Sequence, residues 1–219
     1  MDKIQAAGMI RDLGLIAIIR AHTSEDLIQA AEAILTGGVK VIEVTMTTPN
    51  ALDVIAKASE RLGKEILLGA GTVLDEETAR AALLAGAQFI ISPTLNPKTV
   101  MLCKRYGKVV IAGCFSPTEI LTAWEIGADF IKVFPADLGG PSYIKAILAP
   151  LPQIPLIPTG GVTVETAGPF LQAGAVAVAA GSALVSPKIL NEKDFSTLTK
   201  RARQFRKAVE RARQPFSRS

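Results

Sequence analysis

GKVVIAGCFSPTEILTAWEIGADFIKVFP, residues 107–135, contains one structural unit and the start of the next. A glycine precedes an apolar run, VVIAGC (109–114). A segment with Ser-Pro at its start and apolar residues at helical spacing follows, and then Gly127 precedes a second apolar run, FIKVFP (130–135). A glycine that closes a helix just before a buried strand is the punctuation of a βα repeat, because glycine enters the left-handed backbone region without penalty.

The same punctuation recurs along the chain, at Gly14, Gly38, Gly63, Gly86, Gly107, Gly127 and Gly174. The intervals run from 20 to 25 residues except the last, which is 47 and hides one unit that lacks its glycine. The apolar runs are LIAIIR (15–20), VIEVTM (41–46), ILLGAGT (66–72), FIISP (89–93), VVIAGC, FIKVFP, LIPTGG (156–161), introduced by prolines, and VAVAAGS (176–182). They are nearly continuous rather than alternating, as parallel strands covered on both faces require. Eight βα repeats predict an α/β fold, a (β/α)8 TIM barrel in one domain over 1–219, with an open doubly wound sheet as the other topology. Residues 2–13 read as an extra helix before the first strand, and 194–212 as the closing helix.

With 219 residues and 49% hydrophobic content the chain can bury a complete core. It has no apolar run long enough to span a bilayer and no basic start followed by an apolar block, which predicts a cytoplasmic protein without membrane association. Cys103 and Cys114 are too few for a disulfide framework and lack metal-site spacing, so both are expected reduced and structural. The single histidine, His22, argues against a zinc site or a histidine triad, leaving carboxylate, lysine, hydroxyl or water for proton transfer. The net charge of +4 is concentrated at the end: residues 200–219 hold eight Lys or Arg and one acid. That basic helix end and tail reads as a solvated face, with a polyanion contact as the other reading and nucleic acid disfavoured.

In such barrels the chemistry sits at the C-terminal strand ends. Polar residues there are Arg20, Glu43, Thr45, Thr47, Thr72, Ser92, Ser116, Lys132, Thr159 and Ser182. PTGG (158–161) and AGSALV (180–185), after strands seven and eight, offer backbone N–H groups where a phosphate would bind. Lys132 lies between Phe130, Ile131, Val133 and Phe134. A lysine buried there loses its proton readily and becomes an amine able to attack a ketone, giving an imine. Glu43, in VIEVT, is its companion carboxylate and the candidate general acid–base. A structural ion pair between the two is the alternative.

VIEVT, GAGTV (69–73), FIISP, FIKVFPA, PTGGV (158–162) and GSALV (181–185), in this order over about residues 10–190, resemble the 2-keto-3-deoxy-6-phosphogluconate (KDPG) aldolases, also called bifunctional 4-hydroxy-2-oxoglutarate aldolases. The resemblance implies a class I aldolase without metal or other cofactor, usually a homotrimer. Its reaction would be cleavage of a phosphorylated 2-keto-3-deoxy sugar acid to pyruvate and glyceraldehyde 3-phosphate, and also of 4-hydroxy-2-oxoglutarate. The imine lysine then falls on Lys132 and the acid–base glutamate on Glu43. Thr72 and Pro93 would contact pyruvate, Thr159 would influence stereochemistry, and Gly160, Gly161, Gly181 and Ser182 would hold the phosphate. Phe134 would help keep the site dry or simply fill space. Many members carry an arginine where this chain has Thr47; either Arg20 takes over the substrate carboxylate or its binding is weaker. The rivals are oxaloacetate decarboxylation through the same imine, the galactonate epimer as substrate, an isomerase that moves protons without a covalent adduct, and a non-catalytic phosphate-binding module.

Overall fold

The computed structural model describes residues 1–21 and 23–214; His22 and Arg218 lie outside the described residues. The chain opens with α1 (Lys3–Leu13) and β1 (Leu15–Ile19), followed by α2 (Ser24–Thr36), β2 (Val41–Thr45), α3 (Ala51–Leu62), β3 (Leu67–Gly71) and α4 (Glu76–Leu84). It continues with β4 (Phe89–Ile91), α5 (Pro97–Arg105), β5 (Val109–Cys114), α6 (Pro117–Glu125) and β6 (Phe130–Val133). The last part holds α7 (Gly140–Leu148), β7 (Leu156–Pro158), α8 (Val164–Gln172), β8 (Val178–Ala180), α9 (Pro187–Asn191) and α10 (Phe195–Arg213).

All strands are parallel, in the order β7-β6-β5-β4-β3-β2-β1-β8. Thr159 pairs with Ala179, and the Val176 N–H donates to Leu156 O at 3.0 Å, which joins β7 to β8 and closes the sheet. The fold is therefore the barrel, not the open sheet. Each apolar run contributes a strand, but FIISP, LIPTGG and VAVAAGS give strands of only three residues each; backbone bonds continue one residue further at Ser92, which donates to Ile111 O at 3.1 Å, and at Thr159, and the chain turns after them and at Gly181. The short helix α9 was not anticipated.

Strand alternation divides the core into two parts. Ile42, Val44, Ile131 and Val133 point outward to the helices. Val41, Leu67, Phe89, Val109, Ile111, Phe130 and Ile157 point into the barrel, where Ala6 and Ile10 of α1 pack against them and seal the floor. Burying each large side chain contributes about 1.5–3 kcal/mol. With the floor filled by hydrocarbon, the lumen is polar only toward the C-terminal strand ends.

Gly14 closes α1 as expected, at φ 67° with its N–H donating to Ile10 O. Gly63 differs: it ends α3 at φ −63°, so a left-handed residue is not what stops that helix. The basic α10 is only partly a solvated face. Lys200, Arg203, Lys207, Arg211 and Arg213 are exposed, but Arg201, Arg206 and Arg213 donate to the backbone carbonyls of Ala183, Leu13 and Asp12 at 3.5, 2.8 and 2.6 Å, and Arg213 also to Val176 O. Cations near the carbonyl end of α1 satisfy acceptors that the helix leaves open. Among the described residues no helix is long and apolar enough to cross a membrane.

Candidate active site

The alternation that puts Val41 and Phe130 on the barrel floor also turns Glu43 and Lys132, two residues further along β2 and β6, into the lumen. The strands lie on opposite sides of the barrel, and both side chains are buried, with 1% and 6% of their surface exposed. Glycines make the room. A Cβ at Gly71, on the neighbouring β3, would overlap the Glu43 carboxylate; one at Gly69 would overlap the Phe89 ring; one at Gly113, beside Lys132 in the register, would overlap the backbone of Pro93.

Among the described residues Lys132 joins no direct ion pair, and it and Glu43 act on each other through their charges alone. The Lys132 ammonium position lies 4.9 Å from the centroid of the Phe134 ring. Glu43 Oε2 is buried without a hydrogen-bond partner. Burial pushes the Lys132 pKa down, opposed by the Glu43 charge and assisted by Arg20. Burial pushes the Glu43 carboxyl up, opposed by Lys132 and Arg20. Both groups are driven toward their neutral forms, an amine and a carboxylic acid.

The C-terminal strand ends carry two cavities, neither of them lined by Glu43 or Lys132. Between β7, β8 and β1 lies a cavity of about 400 Å³ that gathers Arg20, Phe134, Thr159, Gly160, Gly161, Gly181 and Ser182, with Ile18, Val162, Thr163 and Ala183. Gly160 and Gly161 have φ 96° and 65°, and a Cβ at Gly161 would strike Asp137. Thr159 is buried at the closing seam, its N–H donating to Val133 O at 2.9 Å and its carbonyl accepting from Ala136 N at 2.8 Å. The second lobe, about 310 Å³ beside β2 and β3, contains Thr47 and Thr72 with Met46, Leu74, Asp75 and Thr78. The hydroxyls of Thr45 and Thr47 share a hydrogen bond of 2.9 Å, and Thr72 is held at φ 57°, an uncommon backbone conformation for a β-branched residue.

Apart from Glu43 and Lys132 in the lumen and Pro93, which lines neither cavity, the predicted binding residues fall in two places. Arg20 belongs to the glycine-rich lobe, not beside Thr47. Ser92 and Ser116 are local structure: the Ser92 hydroxyl accepts from Thr94 N at 3.2 Å, and Ser116 forms a capping box with Glu119. The sequence reading missed Ile18, Val162, Thr163 and Ala183. Ile18 carried a usable signal, since it shares strand parity with Arg20, and Thr163 carried another as the N-cap of α8. Cys103 and Cys114 are free and buried, their thiols pushed up to about 12 chiefly by burial.

The profile of the KDPG and KHG aldolase family matches residues 7–201. A 2-dehydro-3-deoxy-phosphogluconate aldolase of Treponema pallidum is 36% identical over 191 residues, covering 87% of this chain and 90% of that protein. A 2-dehydro-3-deoxy-6-phosphogalactonate aldolase of Escherichia coli K12 is 35% identical, covering 78% and 84%. The crystal structure of a KDPG aldolase from Legionella pneumophila, with pyruvate captured as a covalent carbinolamine, has a TM-score of 0.85 at 28% identity and covers 91% of this chain and 97% of that one. Together with the barrel and the buried lysine and glutamate, these matches show that the chain belongs to the KDPG and KHG aldolase family, whose members are lyases.

Proposed function

We propose that this protein is a class I aldolase that cleaves 2-dehydro-3-deoxy-6-phosphogluconate to pyruvate and glyceraldehyde 3-phosphate through an imine on Lys132. The observation that carries the reading is the buried Lys132 facing Glu43 across the lumen without an ion pair, each pushed toward its neutral form. A neutral amine is the reactive nucleophile, and a carboxylic acid nearby can protonate the departing hydroxyl of the carbinolamine.

In this reading Lys132 adds to the C2 ketone, and loss of water gives a protonated imine that serves as an electron sink. Glu43, now a carboxylate, removes the C4 hydroxyl proton directly or through water, and the C3–C4 bond breaks. Protonation of the enamine and hydrolysis release pyruvate. Thr47, Thr72 and Pro93 hold the pyruvate end, while Arg20, Gly160, Gly161, Gly181 and Ser182 hold the phosphate. Glycines at positive φ expose N–H groups there, and Arg20 adds charge. Thr159 and Phe134, which line the glycine-rich lobe, face the sugar carbons in this reading. With no cation at position 47, the carboxylate is held by hydroxyl and backbone donors.

The galactonate epimer is a second reading, supported by the comparable identity to the phosphogalactonate aldolase. A homotrimer agrees with Phe115 and Leu138, large apolar residues exposed just after β5 and β6. The test is pyruvate release, measured by a coupled dehydrogenase, from both phosphorylated epimers, 4-hydroxy-2-oxoglutarate and oxaloacetate. We expect the gluconate epimer to have the highest kcat/KM; release from oxaloacetate alone would overturn the assignment.

A further inference from the structure

We propose that Arg201, on α10 and outside the cavity, is a positioning residue for the phosphate-binding turn and sets the affinity for phosphorylated substrates. This rests on reading Gly181–Ala183 as part of the phosphate end. After β8 the chain rolls into one turn, with the N–H groups of Leu184 and Val185 both donating to Gly181 O at 2.9 and 2.8 Å. The Ala183 carbonyl, in the segment that lines the cavity, accepts from Arg201 Nη1 at 3.5 Å. A carbonyl dipole directed at a cation in the helical layer is directed away from an anion in the cavity. Arg201 is partly buried and, among the described residues, forms no ion pair with an acid, so its charge adds positive potential behind the turn.

The other two anchoring arginines place this contact in context. Arg206 and Arg213 donate to Leu13, Asp12 and Val176, tying α10 to the segments that enter β1 and β8. Arg201 grips the segment that leaves β8. The helix therefore holds both ends of the strand that presents the turn, and only Arg201 acts at the end facing the ligand.

The test compares the parent with Arg201→Ala, Arg201→Gln and Arg201→Lys, using steady-state kinetics on the phosphorylated substrate and competitive inhibition by inorganic phosphate. Loss of one charge-assisted contact predicts that Arg201→Ala raises KM and the phosphate inhibition constant together, by roughly five- to tenfold, with kcat within about twofold. Lysine should restore most of the affinity and glutamine little. If Arg201→Ala fails to fold, the contrast between Lys and Gln carries the same information. Equal phosphate inhibition in the parent and all variants would overturn the role of Arg201 while leaving the phosphate site standing. Absence of competition by phosphate in the parent would overturn both.

Discussion

Replacing Gly71 by Ala tests how the barrel makes space for its acid–base group. A Cβ at this position would overlap Oε1 and Cδ of Glu43 and stand 2.5 Å from Cγ, and those three atoms are its nearest neighbours. Ordinary carbon–carbon contact is about 3.5 Å, so Cγ must retreat by about 1 Å, and the carboxylate further still. Overpacking of this kind costs about 1–3 kcal/mol, and a misplacement of about 1 Å at a reacting group lowers turnover roughly 10²-fold. The assay is a double-mutant cycle with Glu43→Ala, read by urea unfolding and by pyruvate release. Gly71→Ala alone should lose both stability and kcat. In the Glu43→Ala background the same substitution should cost less than about 0.5 kcal/mol, because the group it strikes is gone. A folded Gly71→Ala enzyme with kcat within about threefold of the parent would refute the reasoning, as would equal destabilisation in both backgrounds.

Three further changes follow from the geometry. Gly161→Ala forces an L-residue to φ 65° and a Cβ into Asp137, so it should cost about 1–2 kcal/mol and raise KM for the phosphorylated substrate more than for 4-hydroxy-2-oxoglutarate, as steady-state kinetics would show. Arg20→Ala removes a cation that holds the Lys132 pKa down; that pKa should rise, moving the acid limb of the rate of imine formation to higher pH, measurable by rapid trapping across pH. Arg213→Ala removes donors to Asp12 O and Val176 O, and loss of about 1 kcal/mol should lower the melting temperature by about 2–4 °C in a thermal scan.

The barrel could be read from the sequence because its strands are buried on both faces and so appear as unbroken apolar runs, each introduced by a helix stop. Strand ends could not, because the last ladder bonds, such as those of Ser92 to Ile111 O and of Thr159 to Val133 O, depend on where the neighbouring strand lies. Glu43 and Lys132 were visible as charges inside apolar strands, where only a buried function or a buried pair would keep them. That they face each other unpaired depends on the closure of β7 onto β8, a contact between distant segments. The same holds for Gly71 and Gly113, which look like ordinary strand residues until the Glu43 carboxylate and the Pro93 backbone come to rest against them. The basic terminal helix is largely the solvated face expected, but its backbone contacts were not legible, for a related reason. Arg213 meets the Asp12 carbonyl across 201 residues of chain, and nothing local to either residue announces that partner.

The most direct test of an imine on Lys132 is borohydride reduction in the presence and absence of pyruvate, followed by intact mass and peptide mapping, on the parent and on Lys132→Met. A stable pyruvate-sized increment located on the peptide that carries Lys132, and missing from the folded variant, is the predicted result. A folded parent that gains no mass, or a Lys132→Met variant that still traps pyruvate, would contradict the account.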